Sequence, residues 1–347
     1  MRSALRRSPD QIRYITPVRS RSATPLHALV YQQAERDFGL IAPPLALHSP
    51  ATGPMTASWL MLRETLVADG HADRAAKEVV AAAVSLSNAC PYCIEVHAAA
   101  VQGLAGQASA SAISGDRLDS IADEQHRALA GWARAARQRH ARNPQPFTAE
   151  QAPELIGVAA TFHYLNRMVN IFLAESPLPA ALPPSARNRA GRLLGWYMSS
   201  TAGQPHPPGD SLPLLPAADV PPDLAWAYPA PTIRAAFARA SQAIQRAGEQ
   251  HLPDRVRELV QQTLTGWDGT EPGLDQSWLR ELLAELPSSE QAAGRLALLT
   301  ALASYRVDKA TIENFRVSAP SDEALISATS WASLAAARHV ASWQLPY

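Results

Sequence analysis

Cys90 and Cys93 are the only cysteines of the chain, and they lie three residues apart in Asn88-Ala-Cys-Pro-Tyr-Cys-Ile-Glu-Val-His97. A C-x-x-C pair has three common uses: a redox dithiol, half of a zinc site, or haem attachment. Haem attachment needs His directly after the second Cys, and Ile94 stands there. A structural zinc site needs four ligands. With no further cysteine, the set would be Cys90, Cys93, His97 and a distant fourth group. The dithiol reading fits the local sequence better. Asn88 is a break after one helix, and Pro91 suits the first turn of the next. Both thiols then sit at a helix N-terminus, where unpaired N–H groups favour a thiolate and lower a Cys pKa from about 8.5 to roughly 3.5–7.5. The i, i+3 spacing puts both sulphurs on one face, within reach of a disulfide.

His97 follows Cys93 by one helical turn on the same face, positioned to take a thiol proton directly or through water. Glu78 lies on the preceding helix, and the reversal between the helices can return its carboxylate to the imidazole or the cysteines. There it would orient the ring and stabilise its charged form, or relay the proton. A lone helical His is ordinarily packed or solvated; one placed a turn after C-x-x-C is expected to function.

The elements that must carry these groups read as helices. Ala, Leu, Arg, Glu and Gln dominate, and β-branched alternation is scarce. The first half predicts helices over Pro25–Phe38, Gly53–Asp69, Asp73–Ser87, Pro91–Gly103, Asp116–Arg139 and Thr148–Leu173. The second half predicts Thr232–Ala247, Pro253–Thr265, Gln276–Leu286, Ser289–Ser304, Asp308–Phe315 and Ser321–Trp343. Asp308 can cap its helix, and Ser321-Asp322-Glu323 puts acidic residues into a first turn. Between the halves, Ser176–Pro231 is rich in proline, which stops helices. Only Ala186–Met198 reads as helix there. Leu212, Leu214, Leu215 and Trp226 mark this stretch as a strap docked on the surface. The expected layout is a helical domain over 1–175, the strap over 176–231, and a second helical unit over 232–347.

The second half reads as a degraded copy of the first. Glu78–His97 aligns without gaps on Gln291–Ala310, with Leu86 on Leu299, Tyr92 on Tyr305 and Glu95 on Asp308. Leu155–Val169 matches Leu325–Val340 in helical pattern, with Arg167 near Arg338. The chemistry is not copied: Gln291, Ala303, Arg306 and Ala310 face Glu78, Cys90, Cys93 and His97. Arg306 reads as a surface or capping charge, and Trp267 and Trp278 read as core anchors.

A net charge of zero leaves no electrostatic footprint for nucleic acid or an anionic membrane. The most apolar run, Val79–Leu86, is too short to span a bilayer. Arg2, Arg6, Arg7 and Arg13 lead into no apolar stretch, so the start is not a secretory signal. A transit peptide is disfavoured because Ile15–Gly39 already reads as folded chain. The expected compartment is the cytoplasm, where thiols stay reduced.

Glu78, the step to Cys90, CPYC and His97 together make Glu-x11-Cys-x2-Cys-x3-His. This pattern resembles the alkylhydroperoxidase D-like/carboxymuconolactone decarboxylase-like superfamily, in its CxxC-containing type. The resemblance covers Pro25–Leu173, including Phe38-Gly39, His48-Ser49-Pro50 and Tyr164-Leu165-Asn166-Arg167. It implies an all-α, alkylhydroperoxidase D-like helical fold, here duplicated in one chain, and a homo-oligomer without cofactor or metal. One departure stands out: the alkylhydroperoxidase D type commonly has a second His where this chain has Tyr92, which bears on the proton relay.

The resemblance implies a thiol-dependent peroxidase. Cys93 attacks the hydroperoxide and becomes a sulfenic acid; Cys90 condenses with it to a disulfide. Thioredoxin-like motifs would favour the first cysteine as nucleophile, so the order stays open. A dithiol donor, in the family a lipoylated protein, then reduces the disulfide, with Cys90 expected nearer the surface as its entry point. Glu78, Cys90, Cys93 and His97 are the catalytic candidates; Tyr92, His163 and Asn166 are candidates for the pocket wall. Two other readings use the same pocket: a metal-dependent or lyase-type enzyme, and a non-catalytic redox sensor.

Overall fold

Side-chain caps written into the sequence start many of the helices. The computed structural model describes residues 11–141, 144–178, 183–273 and 275–344, so Arg2, Arg6 and Arg7 lie outside the described residues. Thr24 accepts from the His27 N–H at the head of α1, Pro25–Asp37. Helix α2, Thr52–Leu62, runs on into a π-helical turn, Arg63–Val67. Asp73 accepts from Ala76 N–H at 2.7 Å to start α3, Arg74–Ser87, and Pro91 opens α4, Pro91–Ala105. Asp308 caps its helix as the sequence predicts, and Ser321 caps the last one, with Asp322 and Glu323 in its first turn.

The region expected as one helix, Asp116–Arg139, is broken up. A short α5, Gln107–Ser114, precedes it. Asp116 then turns the chain with φ +49°, a left-handed conformation that no helix interior tolerates. A 3-10 turn follows at Leu118–Ser120, and α6, Glu124–Ala135, begins only where Asp123 accepts from the His126 N–H. Helix α7 spans Ala152–Phe172.

In the strap, α8 runs over Pro184–Ala202, longer than the expected island. The rest of the strap is pinned by buried charge. Arg63, fully buried, donates to Asp37 at 2.8 Å, to Glu64 at 2.8 Å and to the Pro207 carbonyl at 3.0 Å. Glu64 accepts from Gly209 N–H at 2.6 Å and Ser211 Oγ at 2.7 Å, and Asp69 accepts from His206 N–H at 2.8 Å. Trp226 is buried edge-on against Phe237, their ring centroids 5.0 Å apart.

The second half holds α9, Pro231–His251; α10, Asp254–Gly266; α11, Ser277–Leu283; α12, Gln291–Ala303; α13, Lys309–Arg316; and α14, Asp322–Ala341. Helix α3 packs against α4, α6 and α7; α7 packs on α14, and α9 joins α14 to α2. One apolar core runs through all of them without a gap, from Val79–Val84 through Phe162 to Leu325. Trp267 lies at its edge among His339 and Trp343, and Trp278 is only half-buried. Arg306 bonds the carbonyls of Gly273 and Pro272 at 2.8 and 3.1 Å, closing a loop. Among the described residues the fold is all-helical apart from a single bridge, Ile12 to Leu173, and no helix is long and apolar enough to cross a membrane.

Candidate active site

A three-residue turn joins α3 to α4. Ala89 adopts φ +47°, and the Cys90 N–H bonds the Ser85 carbonyl at 3.0 Å. Cys90 becomes the residue before the first turn of α4, and Cys93 falls within that turn. Both thiols are free, with their sulphurs 2.6 Å apart. A disulfide bond of about 2.05 Å therefore needs only a small closing movement.

Burial reverses two expectations. Cys90 is fully buried and Cys93 is 4% exposed, so the second cysteine is the more accessible one. The helix start does not turn Cys90 into a thiolate. Burial pushes its pKa well above the usual thiol range, helped by the hydrogen bond to Cys93, while the Asn166 side chain pulls the other way. Cys90 is therefore a neutral S–H that donates towards Cys93.

The reversal between α3 and α4 also brings Glu78 to His97, with Nδ1 and Oε2 2.7 Å apart. Glu78 is fully buried, which by itself raises its pKa; the charges of Arg74 and His97 and their hydrogen bonds outweigh this, and the net shift is downward. The carboxylate is thus ionised and can only accept, so the His97 Nδ1 beside it carries a proton whether the ring is neutral or charged. The His97 ring meets Phe162 edge-on, centroids 4.5 Å apart.

Helix α7 backs the turn with amides. The Asn88 amide meets His163 Nδ1 at 3.0 Å and Asn166 Oδ1 at 3.0 Å, and Asn166 Nδ2 donates to Ser85 Oγ at 3.1 Å. His163 is held neutral: burial, then the charges of Arg167 and Arg137, drive its pKa well down. Its Nε2 has no hydrogen-bond partner. Tyr92 is buried beside the thiols, and its phenol is pushed up by burial and by Cys93 and Cys90. The structure thus gathers Tyr92, His163 and Asn166 about the turn that carries the cysteines.

Three contributors were missed in the sequence. Arg74 bonds Glu78 Oε1 at 2.9 Å, a pair legible from its i, i+4 spacing. Asn170 donates to the Asn88 carbonyl at 3.0 Å. Helix α8 covers α4 at a glycine crossing, where a Cβ on Gly103 would collide with the Gly195 carbonyl and one on Gly195 with that of Ala99. Among the described residues no group of three or more His, Cys, Asp or Glu side chains is arranged to hold a metal ion.

Two comparisons with known proteins bear on this arrangement. The model of the carboxymuconolactone decarboxylase family matches residues 54–115, the segment that holds Glu78, Cys90, Cys93 and His97. A Mycobacterium tuberculosis protein named alkyl hydroperoxide reductase is 36% identical over 332 residues, covering 96% of this chain and 94% of its own length. That likeness runs through both helical halves and the strap between them.

Proposed function

Since the chain belongs to the alkylhydroperoxidase D-like/carboxymuconolactone decarboxylase-like superfamily, we propose that it is a thiol peroxidase working through Cys90 and Cys93. The reading is carried by one observation: two free thiols 2.6 Å apart, a turn before an imidazole bonded to a buried carboxylate. Cys93 is the attacking residue. It is the less buried of the two cysteines, and the neutral Cys90 S–H can stabilise its thiolate. The Cys93 thiolate displaces alkoxide from the O–O bond, becoming a sulfenic acid while the alkoxide takes a proton and leaves as alcohol. His97, whose neutral form leaves Nε2 unprotonated, serves as the base that takes the Cys93 proton, and Glu78 stabilises the imidazolium. Cys90 then attacks the sulfenic sulphur, water leaves, and a Cys90–Cys93 disulfide remains. An external dithiol, such as a lipoylated protein, restores the pair.

The second half supports this site and performs no chemistry of its own. Helices α12, α13 and α14 repeat the order of α3, α4 and α7: two helices with a short connection between them, which in the second half holds a 3-10 turn at Ser304–Arg306, then a long buried helix. We read the chain as a duplication whose 232–347 unit occupies the place a second subunit would take. A soluble, cytoplasmic homo-oligomer acting on an organic hydroperoxide follows from the same reading.

Stopped-flow measurement of thiol consumption with cumene hydroperoxide tests the function. The parent should lose both thiols per peroxide reduced. Cys90→Ser and Cys93→Ser proteins that consume peroxide as fast as the parent would sink the proposal.

A further inference from the structure

The two oxygens of Glu78 are divided between two partners. Oε1 accepts from Arg74 Nε at 2.9 Å, and Oε2 meets His97 Nδ1 at 2.7 Å. A carboxylate with no exposed surface strongly favours its neutral form unless a cation is beside it. Among the groups that oppose burial at Glu78, the Arg74 charge is the largest. Arg74 is itself held in place. Its guanidinium lies over the Phe38 ring, 6.0 Å from the centroid, and the next residue, Gly39, accepts from the Tyr197 hydroxyl on α8. The side chain is 13% exposed, at the edge of the buried site.

Which oxygen atoms carry protons decides what His97 can do. An ionised Glu78 only accepts, so the neutral form of His97 has its proton on Nδ1 and a free lone pair on Nε2. A neutral Glu78 can instead donate to Nδ1; the ring proton then moves to Nε2, and that nitrogen no longer accepts a thiol proton.

We infer that Arg74 is a positioning residue of this site: its bond to Oε1 fixes the Glu78 carboxylate so that Oε2 accepts from His97 Nδ1 and Nε2 stays open as the base. The predicted effect on rate rests on the peroxidase reading, whereas the effect on the imidazole does not. Arg74 acts through Glu78 and touches no reacting atom.

The test combines ring-nitrogen NMR with kinetics on 15N-histidine-labelled full-length protein. In the parent, His97 should show a protonated Nδ1 and a bare Nε2. In Arg74→Ala the bare nitrogen should shift to Nδ1, and kcat for cumene hydroperoxide should fall about 100-fold, the lower range for losing a general base, with KM little changed. Arg74→Lys should retain the parental tautomer, and methylguanidine should restore part of the Arg74→Ala rate. Should Arg74→Ala fail to fold, Arg74→Gln against Arg74→Lys makes the same comparison. A folded Arg74→Ala or Arg74→Gln protein with the parental tautomer and rate overturns the inference. A tautomer shift in a chain whose parent consumes no peroxide leaves the inference standing and removes the peroxidase reading instead.

Discussion

Asn170 on α7 reaches both halves of the chain, donating to the Asn88 carbonyl at 3.0 Å and to Ser304 Oγ at 3.1 Å. The first contact holds the turn that presents the cysteines; the second ties α7 to the end of α12. Three residues earlier on the same helix, Arg167 does similar work. Buried, and pushed down to about 9 by that burial and by Arg137, it bonds the Ala301 carbonyl at 2.9 Å and the His163 carbonyl. The cysteine turn is thus braced against the second half through side chains of one helix.

Asn170→Ala should remove that brace and leave the Asn88 carbonyl short of a donor. A loss of about 1–3 kcal/mol is expected from an unsatisfied buried group, with slower disulfide formation after one equivalent of peroxide. Ser304→Ala, which removes only the cross-half contact, should do less on both counts. Urea unfolding and mass spectrometry of the Cys90/Cys93 peptide report the two effects. If Asn170→Ala oxidises its dithiol at the parental rate, the brace does not position the turn.

The two cysteines should give different dead ends. Cys93→Ser should leave peroxide untouched. Cys90→Ser should react once and stop, its Cys93 peptide heavier by a single oxygen. The parent should instead lose two hydrogens on forming the disulfide. An added oxygen found on Cys90 in the Cys93→Ser protein would reverse the assigned order of attack.

Much of this site was legible because it is local. Cys90, Cys93 and His97 share one helix face by spacing alone, and Glu78 sits one tight turn away, so helical geometry limits where it can go. Arg74 is equally local, four residues before Glu78 on the same helix face. What the sequence could not show is tertiary. Asn170 and Arg167 find partners 134 residues away in Ser304 and Ala301. The reversed burial of Cys90 and Cys93 depends on what α7 lays over the turn, and at Cys90 burial outweighs the pull of the helix start. The break at Asp116 was legible in Gly115, Asp119-Ser120 and Asp123, all poor helix formers, and the helix begins only at Glu124. Leu215 and Trp226 did mark the strap as docked, but Arg63 and Glu64, which pin it, sit far upstream in sequence.

The crossing of α8 over α4 should be intolerant of any added carbon. Gly195→Ala puts a methyl against the Ala99 carbonyl, so one of the two backbones must shift. Overpacking of this kind destabilises by about 1–3 kcal/mol. Limited proteolysis should then cut within Ser176–Pro231 faster than in the parent. Gly191→Ala, on the same helix with nothing near its added carbon, should be neutral or stabilising by about 0.5–1 kcal/mol. Equal protease resistance of the two variants would show that α8 is not clamped there.

His48 should make stability depend on pH in a defined window. Burial lowers its pKa to about 4, partly offset by its bond to the Pro44 carbonyl, and the ring stacks on Tyr164 with centroids 5.5 Å apart. In the unfolded chain the same group titrates near 6.5. Between those values the unfolded state binds more protons than the folded state, so stability rises with pH across the window. The contribution is complete above about pH 6.5 and is lost as pH falls to about 4, a swing of about 3 kcal/mol at 1.36 kcal/mol per pKa unit. His163, driven down in the same direction, adds to the slope. His48→Phe keeps a ring against Tyr164 and removes the titration. Urea unfolding at pH 4, 5, 6 and 7 should therefore give a flatter profile for His48→Phe than for the parent. Two parallel profiles would mean that His48 becomes protonated as readily in the folded protein as in the unfolded chain.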